Sequence, residues 1–392
     1  MSRKQLLLLF FGALVLWAVG NGTMPLIPVY ALKLGASQAM TGYFLAFAFL
    51  ALAVGTIFAG WLSDKLQRRK LLIIVSGAML IASLWMMGQA RNYWQFAAAY
   101  AATTFLFGIA VTLINVLAGL FAADNERGRV FGVLGLSIPV GAILGGLSVG
   151  RMVDRWGYPT MFAVLALISV ILPMTTIFVK DKKIEQAPNH TTTEHREKPS
   201  FGEAFIILLI AHLIVIIVHG AGNIGRSFTM HNIGFAATAM TSTAVIGGVV
   251  SLPFPFILGR LSDRLGRKLL IIICYASYGL SMIIYALSKS LWHFWIGSAF
   301  FNIGMISNTV GTAFVTDLVD SKFLGRGVSL FQGMFWTANV IGLAVAGYVF
   351  QNVGISTAML ISATLPLIGI VLVLSIRVAK PSIAVSASPQ PK

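Results

Sequence analysis

The sequence predicts an all-α polytopic membrane protein, with twelve transmembrane helices in two pseudo-symmetric six-helix bundles. Three observations carry that prediction. First, AVILMFWYC residues make up 57% of the 392 positions and charged residues only 10%, where a soluble globular chain has about 25% charged. The mean hydropathy is +0.87, and a soluble fold would have to cover its surface with hydrocarbon to hold so much apolar side chain. Second, apolar runs of about 20 residues recur from end to end, each long enough to cross a bilayer as a helix. They lack the short alternating stretches of a membrane β-barrel. Third, one charged segment appears twice, at matching places in the two halves of the chain.

The spans follow in order. The first, 6–30, begins after Met1-Ser-Arg-Lys-Gln. Its apolar run of about 25 residues is too long for a signal-peptide core, and no small-x-small cleavage site follows, so a retained helix is expected. Pro25 and Pro28 remove backbone donors from its outer part and bend or break it there. Spans 2, 3 and 4 occupy 38–62, 70–89 and 94–119, divided by short polar breaks. Span 5, 130–150, is rich in glycine, which lets membrane helices approach closely. Span 6 covers 158–179. Spans 7 to 12 occupy 204–230, 237–259, 269–288, 291–316, 327–350 and 355–376. The long polar interval 180–203 divides six spans from six and reads as a flexible cytoplasmic linker. The expected domains are therefore 1–179, the linker 180–203, a second bundle 204–376, and a disordered cytoplasmic tail 377–392.

Charge placement sets the expected topology. Twenty-two of the 28 Lys and Arg flank the termini, the central interval and the loops on their side; Lys33, Arg91, Arg151, Arg155, Arg226 and Lys289 lie opposite. The positive-inside rule places both termini in the cytoplasm, and the expected location is the plasma (inner) membrane of a prokaryote. The formal charge of +16 thereby reflects topology and anionic lipid rather than nucleic acid. The one cysteine, Cys274, lies inside a span, so neither a disulfide framework nor a cysteine metal site is expected. No nucleotide-binding loop and no nucleophile–base set appears, and neither an enzyme nor a cofactor is expected.

The repeated segment reads Gly60-Trp-Leu-Ser-Asp64-Lys65-Leu-Gln-Arg68-Arg69-Lys70 between spans 2 and 3, and Gly259-Arg-Leu-Ser-Asp263-Arg264-Leu-Gly-Arg267-Lys268 between spans 8 and 9. It resembles the signature of the major facilitator superfamily, and the resemblance covers residues 5 to 376. Gly60 and Gly259 allow close helix approach. Asp64 and Arg68, four apart, are able to face one another, with Asp124 at the end of span 4 as third member; Asp263, Arg267 and Asp317 form the counterpart. The resemblance implies that the first aspartate meets the N-terminus of span 11 near Gly327, where the helix dipole favours an anion. Such a network holds two halves together in one state and releases them in another.

Two further stretches resemble the drug:proton antiporter branch of that superfamily. One is the proline-bearing first span, Gly20-Asn21-Gly22-Thr23-Met24-Pro25-Leu-Ile-Pro28. The other is Gly141-Ala142-Ile-Leu-Gly145-Gly146, similar to the exporter motif Gly-Pro-x-x-Gly-Gly but with Ala142 at the proline position and Pro139 nearby. Read without the resemblance, these glycines are a small-residue packing face. Span 4 departs from the family pattern, with Thr104 and Phe107 where an arginine and a glutamine often stand. All twelve acidic residues fall in loops or at helix ends, so no mid-membrane carboxylate is available to bind a proton or a cation.

Span 7 supplies the ionisable groups instead. An ionisable residue inside a span is a functional candidate because burying it is costly. His219, near Asn223, and Arg226 form a candidate proton or substrate site; His212 and His231 share the span or its end. His219 is equally readable as a neutral packing histidine, and Arg226 as a side chain that snorkels to the outer headgroups. Trp17, Asn21, Tyr43, Phe47, Asn302, Gln332, Trp336 and Asn339 are the candidate cavity lining, the last three of which share one helical face. Such a lining suits an amphipathic or neutral organic solute. The expected function is export of small drug-like compounds by alternating access, with protons as the counter-substrate, by a protein functional as a monomer. Uptake of a polar metabolite such as a sugar or organic anion is the alternative within transport. A non-transporting membrane sensor or scaffold is the alternative outside it.

Overall fold

A computed structural model describes residues 1–123, 126–181 and 201–376. The expected linker and tail fall mostly outside these residues, as does Asp124. The described chain is helical throughout, and its breaks follow the local chemistry. The first crossing is α1 (Arg3–Thr23) and α2 (Ile27–Lys33), interrupted at Met24–Leu26, where Pro25 and Pro28 cannot donate backbone hydrogen bonds. α3 (Gln38–Leu66), α4 (Arg69–Gln89) and α5 (Tyr93–Phe121) are single crossings. α3 starts where the Ser37 hydroxyl accepts from the Met40 N–H, 3.1 Å away, as an N-cap does.

The fifth crossing is α6 (Arg127–Gly135) continued by α7 (Ser137–Ser169). The helix is interrupted at Leu136, where the ring of Pro139 removes the donor that would reach back to Gly135. α7 is itself broken at Gly157, with φ 78°, a conformation glycine adopts without a Cβ penalty. There the chain turns back into the sixth crossing, completed by α8 (Ile171–Ile177).

The second half repeats this plan. α9 (Glu203–Ile233) is one crossing, α10 (Ala237–Ser251) and α11 (Phe254–Leu265) the next, and α12 (Arg267–Leu287) the third. α13 (Leu291–Met305) with α14 (Ser307–Leu318) forms the fourth, α15 (Leu324–Val353) the fifth, and α16 (Ile355–Ser362) with α17 (Leu365–Ser375) the last. Among the described residues, nine helical stretches are individually long and apolar enough to cross a membrane. One of them, Arg127–Ile177, contains the turn at Gly157 and makes two crossings; the paired helices α10–α11 and α13–α14 bring the number to twelve. The first and last described residues, Met1 and Ile376, therefore lie at one face, called here the terminal face.

Each half packs through glycines that leave no room for a side chain. A Cβ on Gly55 would meet the Phe105 carbonyl, and one on Gly108 the Leu52 carbonyl, which locks α3 to α5. Gly141 and Gly145 do the same for α7 against Trp17, Ala18 and Gly22 of α1. Hydrocarbon around the protein offers no hydrophobic drive between helices, so close backbone approach and dispersion hold them together.

Candidate functional site

The two halves meet near the face opposite the termini. On one side α3 crosses α15, with Gly42 against Leu343 and Gly347. On the other α7 crosses α10: Gly146 faces Thr241 and Val245, and Gly150 faces Ala237 and Thr238. Each of these contacts leaves under 3.0 Å for a Cβ, so the seam is nearly backbone on backbone. Two polar contacts finish it. The Asp154 carboxylate, at the end of the fifth crossing away from the terminal face, accepts from the N–H groups of Ala237 (2.9 Å) and Thr238 (2.8 Å), the first turn of α10. Gln351 near the end of α15 accepts from the Ala39 N–H at 3.1 Å, in the first turn of α3. These are equivalent positions in the two repeats: the end of one half's fifth crossing caps the start of the other half's second. Free N–H groups and the helix dipole both favour an acceptor there, a negative one most.

Toward the terminal face the halves part. A Cβ added to Gly60, Gly132, Gly135, Gly325 or Gly333 would meet nothing within 4 Å. Gly60 thus makes no close approach in this conformation, contrary to the sequence expectation: neither half brings an atom within 4 Å of a Cβ built there. The structure is open at the terminal face and closed at the other.

The charged network is accordingly half formed. Asp64, near the end of α3, and Arg68, in the turn after it, are both exposed and do not pair with each other. The helix ends at Leu66 and Gln67 takes a left-handed conformation, φ 48°, so the i, i+4 geometry that would join Asp64 to Arg68 is lost. Arg267 and Asp317 do pair, at 2.8 Å, with Thr316 Oγ1 accepting a second bond from the same guanidinium nitrogen at 2.8 Å. Asp263 lies in α11 and Gly259 precedes it in the same helix; the Asp263 side chain is outside what the structure describes.

The motif lysines have a separate structural role that sequence reasoning did not assign. Lys70 Nζ donates to the Ile177 carbonyl at the end of α8, and Lys268 Nζ to those of Leu374 and Ile376 at the end of α17. A cation at a helix C-terminus satisfies its orphan carbonyls. Arg69, 2% exposed, donates from Nε to Ser63 Oγ at 2.8 Å. Within one motif, then, some charges anchor each half while Asp64 and Arg68 stand free of one another.

The candidate cavity residues divide. Trp17 sits edge-on to Phe107, centroids 5.2 Å apart. It lines a cavity of about 120 Å³ with Asn115, Ser137 and Ile138. Asn21 donates to the Ile138 carbonyl at 3.4 Å. Trp336 lies across the seam from Phe49, centroids 6.4 Å apart. Tyr43 and Phe47, 51% and 62% exposed, lie on the face of α3 turned away from both α5 and α15. That face meets lipid, so these two leave the lining: an aromatic in a span reads the same in sequence whichever way it points.

Gln332 is used within its half, accepting from Asn308 (3.2 Å) and donating to Thr312 (3.0 Å). Asn302 donates to the Ser298 carbonyl and packs against Gly247. Asn339 is buried with its side-chain oxygen unbonded. His219 is held between Tyr278 (3.2 Å from Nδ1) and Asn223 (3.1 Å from Nε2), with its ring stacked on Phe301. His212 lies against Phe331 and Tyr275. Arg226 is 5% exposed and reaches inward to Ser298, so it does not snorkel. Asp154 and Gln351 escaped sequence reasoning because a carboxylate near a span end reads as loop charge until its acceptor geometry is seen. The repeat itself was the available signal.

Two helical halves, packed on one another at one face and parted at the other, with charged segments at the parted face, define a secondary transporter that works by alternating access. The chain belongs to the Major Facilitator Superfamily, whose family model matches residues 9–224 and 200–392. It is a transporter and not an enzyme. It is 26% identical over 381 residues to the multidrug resistance protein MdtG of Klebsiella pneumoniae (strain 342), covering 92% of this chain and 90% of that one. A second relative of the same name, from Escherichia fergusonii, is 25% identical over 384 residues, covering 94% and 93%. Among solved structures, the nucleoside transporter NupG superposes with a TM-score of 0.78 at 16% identity, over 96% of this chain and 99% of that one. A bacterial homologue of the lysosomal transporter Spinster gives 0.74 at 11% identity, over 95% and 97%.

The seam carries its own prediction. Asp154→Ala removes the acceptor from the start of α10, and losing such a cap costs about 0.5–2 kcal/mol. The closed opposite face is therefore expected to open more often, seen as faster labelling of a cysteine introduced by Thr238→Cys in a Cys274→Ser background. Labelling at the native rate would show that Asp154 does not hold the seam.

Proposed function

We propose that this protein exports small amphipathic or drug-like organic compounds from the cytoplasm in exchange for protons, acting as a monomer. In this reading residues 1–179 and 204–376 are the two rocking bundles, 180–203 is the cytoplasmic linker and 377–392 a cytoplasmic tail. The terminal face is the cytoplasmic one, in line with the distribution of Lys and Arg. The observation that carries the reading is the end-to-end match to two multidrug resistance proteins. The broken first crossing at Pro25 and Pro28 and the Gly141–Gly146 stretch support it. An opening toward the cytoplasm is the state in which an exporter collects its cargo, and the aromatic groups Trp17, Phe107 and Trp336 offer apolar contact there.

Because no span holds a carboxylate at mid-depth, His219 is the group assigned to proton exchange, through its bonds to Tyr278 and Asn223. Everted vesicles energised to an acid interior test both points. Adding a transported drug is expected to release protons only when the protein is present, and His219→Gln is expected to keep drug binding while abolishing that release. Proton release undiminished in His219→Gln removes the histidine from the coupling step. No release by any drug, with uptake of a labelled sugar or organic anion into whole cells, would replace export by uptake.

A further inference from the structure

α9 carries one guanidinium into the apolar interior, and no carboxylate is there to meet it. Arg226 lies two turns before the helix ends at Ile233. Its Nη1 makes one long contact, 3.5 Å, to Ser298 Oγ of α13, which the Tyr285 hydroxyl of α12 also bonds, at 3.0 Å. Nε is buried with no partner. The Tyr285 hydroxyl also lies within hydrogen-bonding reach of the guanidinium. One turn toward the terminal face, the half-buried amides of Asn223 and Asn302 continue the same polar strip.

Among the described residues, every acidic residue lies at a helix end or in a loop. A guanidinium has five donors in a planar fork shaped for an oxyanion. Leaving it buried and unmatched in a membrane is costly, and such residues mark the path of a substrate.

We infer that Arg226 receives the anionic group of the cargo, which makes the preferred substrate an organic anion: a carboxylate, sulfonate or phosphonate on an aromatic or aliphatic body. This rests on the transport reading above and narrows it. The fork of Arg226 takes the oxyanion, the Ser298 and Tyr285 hydroxyls hold the fork in place, and Asn302, with one amide N–H given to the Ser298 carbonyl, offers the other. The apolar body then lies toward Phe301 and Phe335, which pack around His219.

The test uses the purified full-length protein in neutral detergent and three probes: 1-naphthalenesulfonate, 1-naphthylmethylammonium and sodium sulfate. The sulfonate is expected to raise the unfolding temperature saturably, by about 3 °C or more at concentrations well above its Kd, and the ammonium not at all. In Arg226→Met the rise is expected to vanish, while the unliganded variant unfolds no earlier than the native protein, because an unpaired buried charge has been removed. Arg226→Lys keeps part of the rise. Should Arg226→Met fail to fold, the native comparison of sulfonate with ammonium and the Arg226→Lys protein still decide. Equal shifts by both naphthalenes, no sulfonate shift, or a sulfonate shift retained in Arg226→Met would overturn the assignment. A matching shift from sulfate alone would overturn the organic class.

Vesicle flux separates this from failure of transport itself. If the sulfonate still moves at the native rate through Arg226→Met, the anion site falls and export stands. If no compound moves through the native protein, export falls.

Discussion

Gly150→Val is expected to reach the membrane in normal amount, to lie mostly open at the face opposite the termini, and to transport poorly. A side chain at Gly150 has to enter space held by the Ala237 carbonyl and the Thr238 Cα, each 2.6 Å from the new Cβ, and by the Thr241 hydroxyl. All three belong to the other half. The clash therefore exists only while the seam is closed, and each half folds without meeting it. Overpacking of this kind costs about 1–3 kcal/mol, and 3 kcal/mol moves a two-state equilibrium by roughly a hundredfold. Gly145→Val supplies the contrast. Its Cβ would strike the Ala18 carbonyl and Gly22, within one half, so that protein is expected to fail to accumulate. Gly132→Ala, facing open space, is expected to behave as the native protein. Membrane abundance and cysteine accessibility at both faces check all three; a Gly150→Val protein with native accessibility and native flux would refute the seam.

Asp64→Asn is expected to leave abundance and thermal stability unchanged while lowering transport at least tenfold at matched expression. In the conformation open at the terminal face, Asp64 is exposed and Arg68 does not meet it, so neutralising it disturbs nothing there. On the resemblance to the family, we propose that its partner is the N-terminus of α15, near Gly327, reached only when that face closes, where the first turn's N–H groups and the helix dipole favour an anion. The substitution thus penalises one state alone. Asp317→Asn differs, since the Arg267 pair already exists here. That pair is about one-third exposed on both sides, so its loss costs less than about 1 kcal/mol of stability. Vesicle flux compared with thermal unfolding distinguishes the two variants; unimpaired flux in Asp64→Asn would show that Asp64 takes no part in closing the face.

The twelve crossings, the repeat and the broken first helix were legible because each leaves a local mark: an apolar run, a copied charged segment, or prolines without donors. What the sequence could not show was pairing across distance. Gly141, Gly145, Gly146 and Gly150 form one glycine stripe, yet the first two pack inside a half and the last two across the seam. Nothing in their spacing separates these fates, because one helix presents both faces. Asp64 and Arg68 have i, i+4 spacing, but the helix stops between them. Tyr43 and Phe47 fell among the lining candidates because a membrane span lacks the polar outer face that orients a soluble helix. Arg226 was open between headgroup and interior until its 5% exposure and the reach to Ser298 decided it.

Two distances measured on one sample test alternating opening most directly. Spin labels at Arg155→Cys and Ala236→Cys report the opposite face, and labels at Lys65→Cys and Arg326→Cys report the terminal face, both pairs in a Cys274→Ser background. Native protein without cargo is expected to give a short first distance and a long second. Gly150→Val, or cargo with an imposed proton gradient, is expected to lengthen the first and shorten the second together. Distances that lengthen at both faces, or neither changing while transport proceeds, would contradict two halves rocking about a central site.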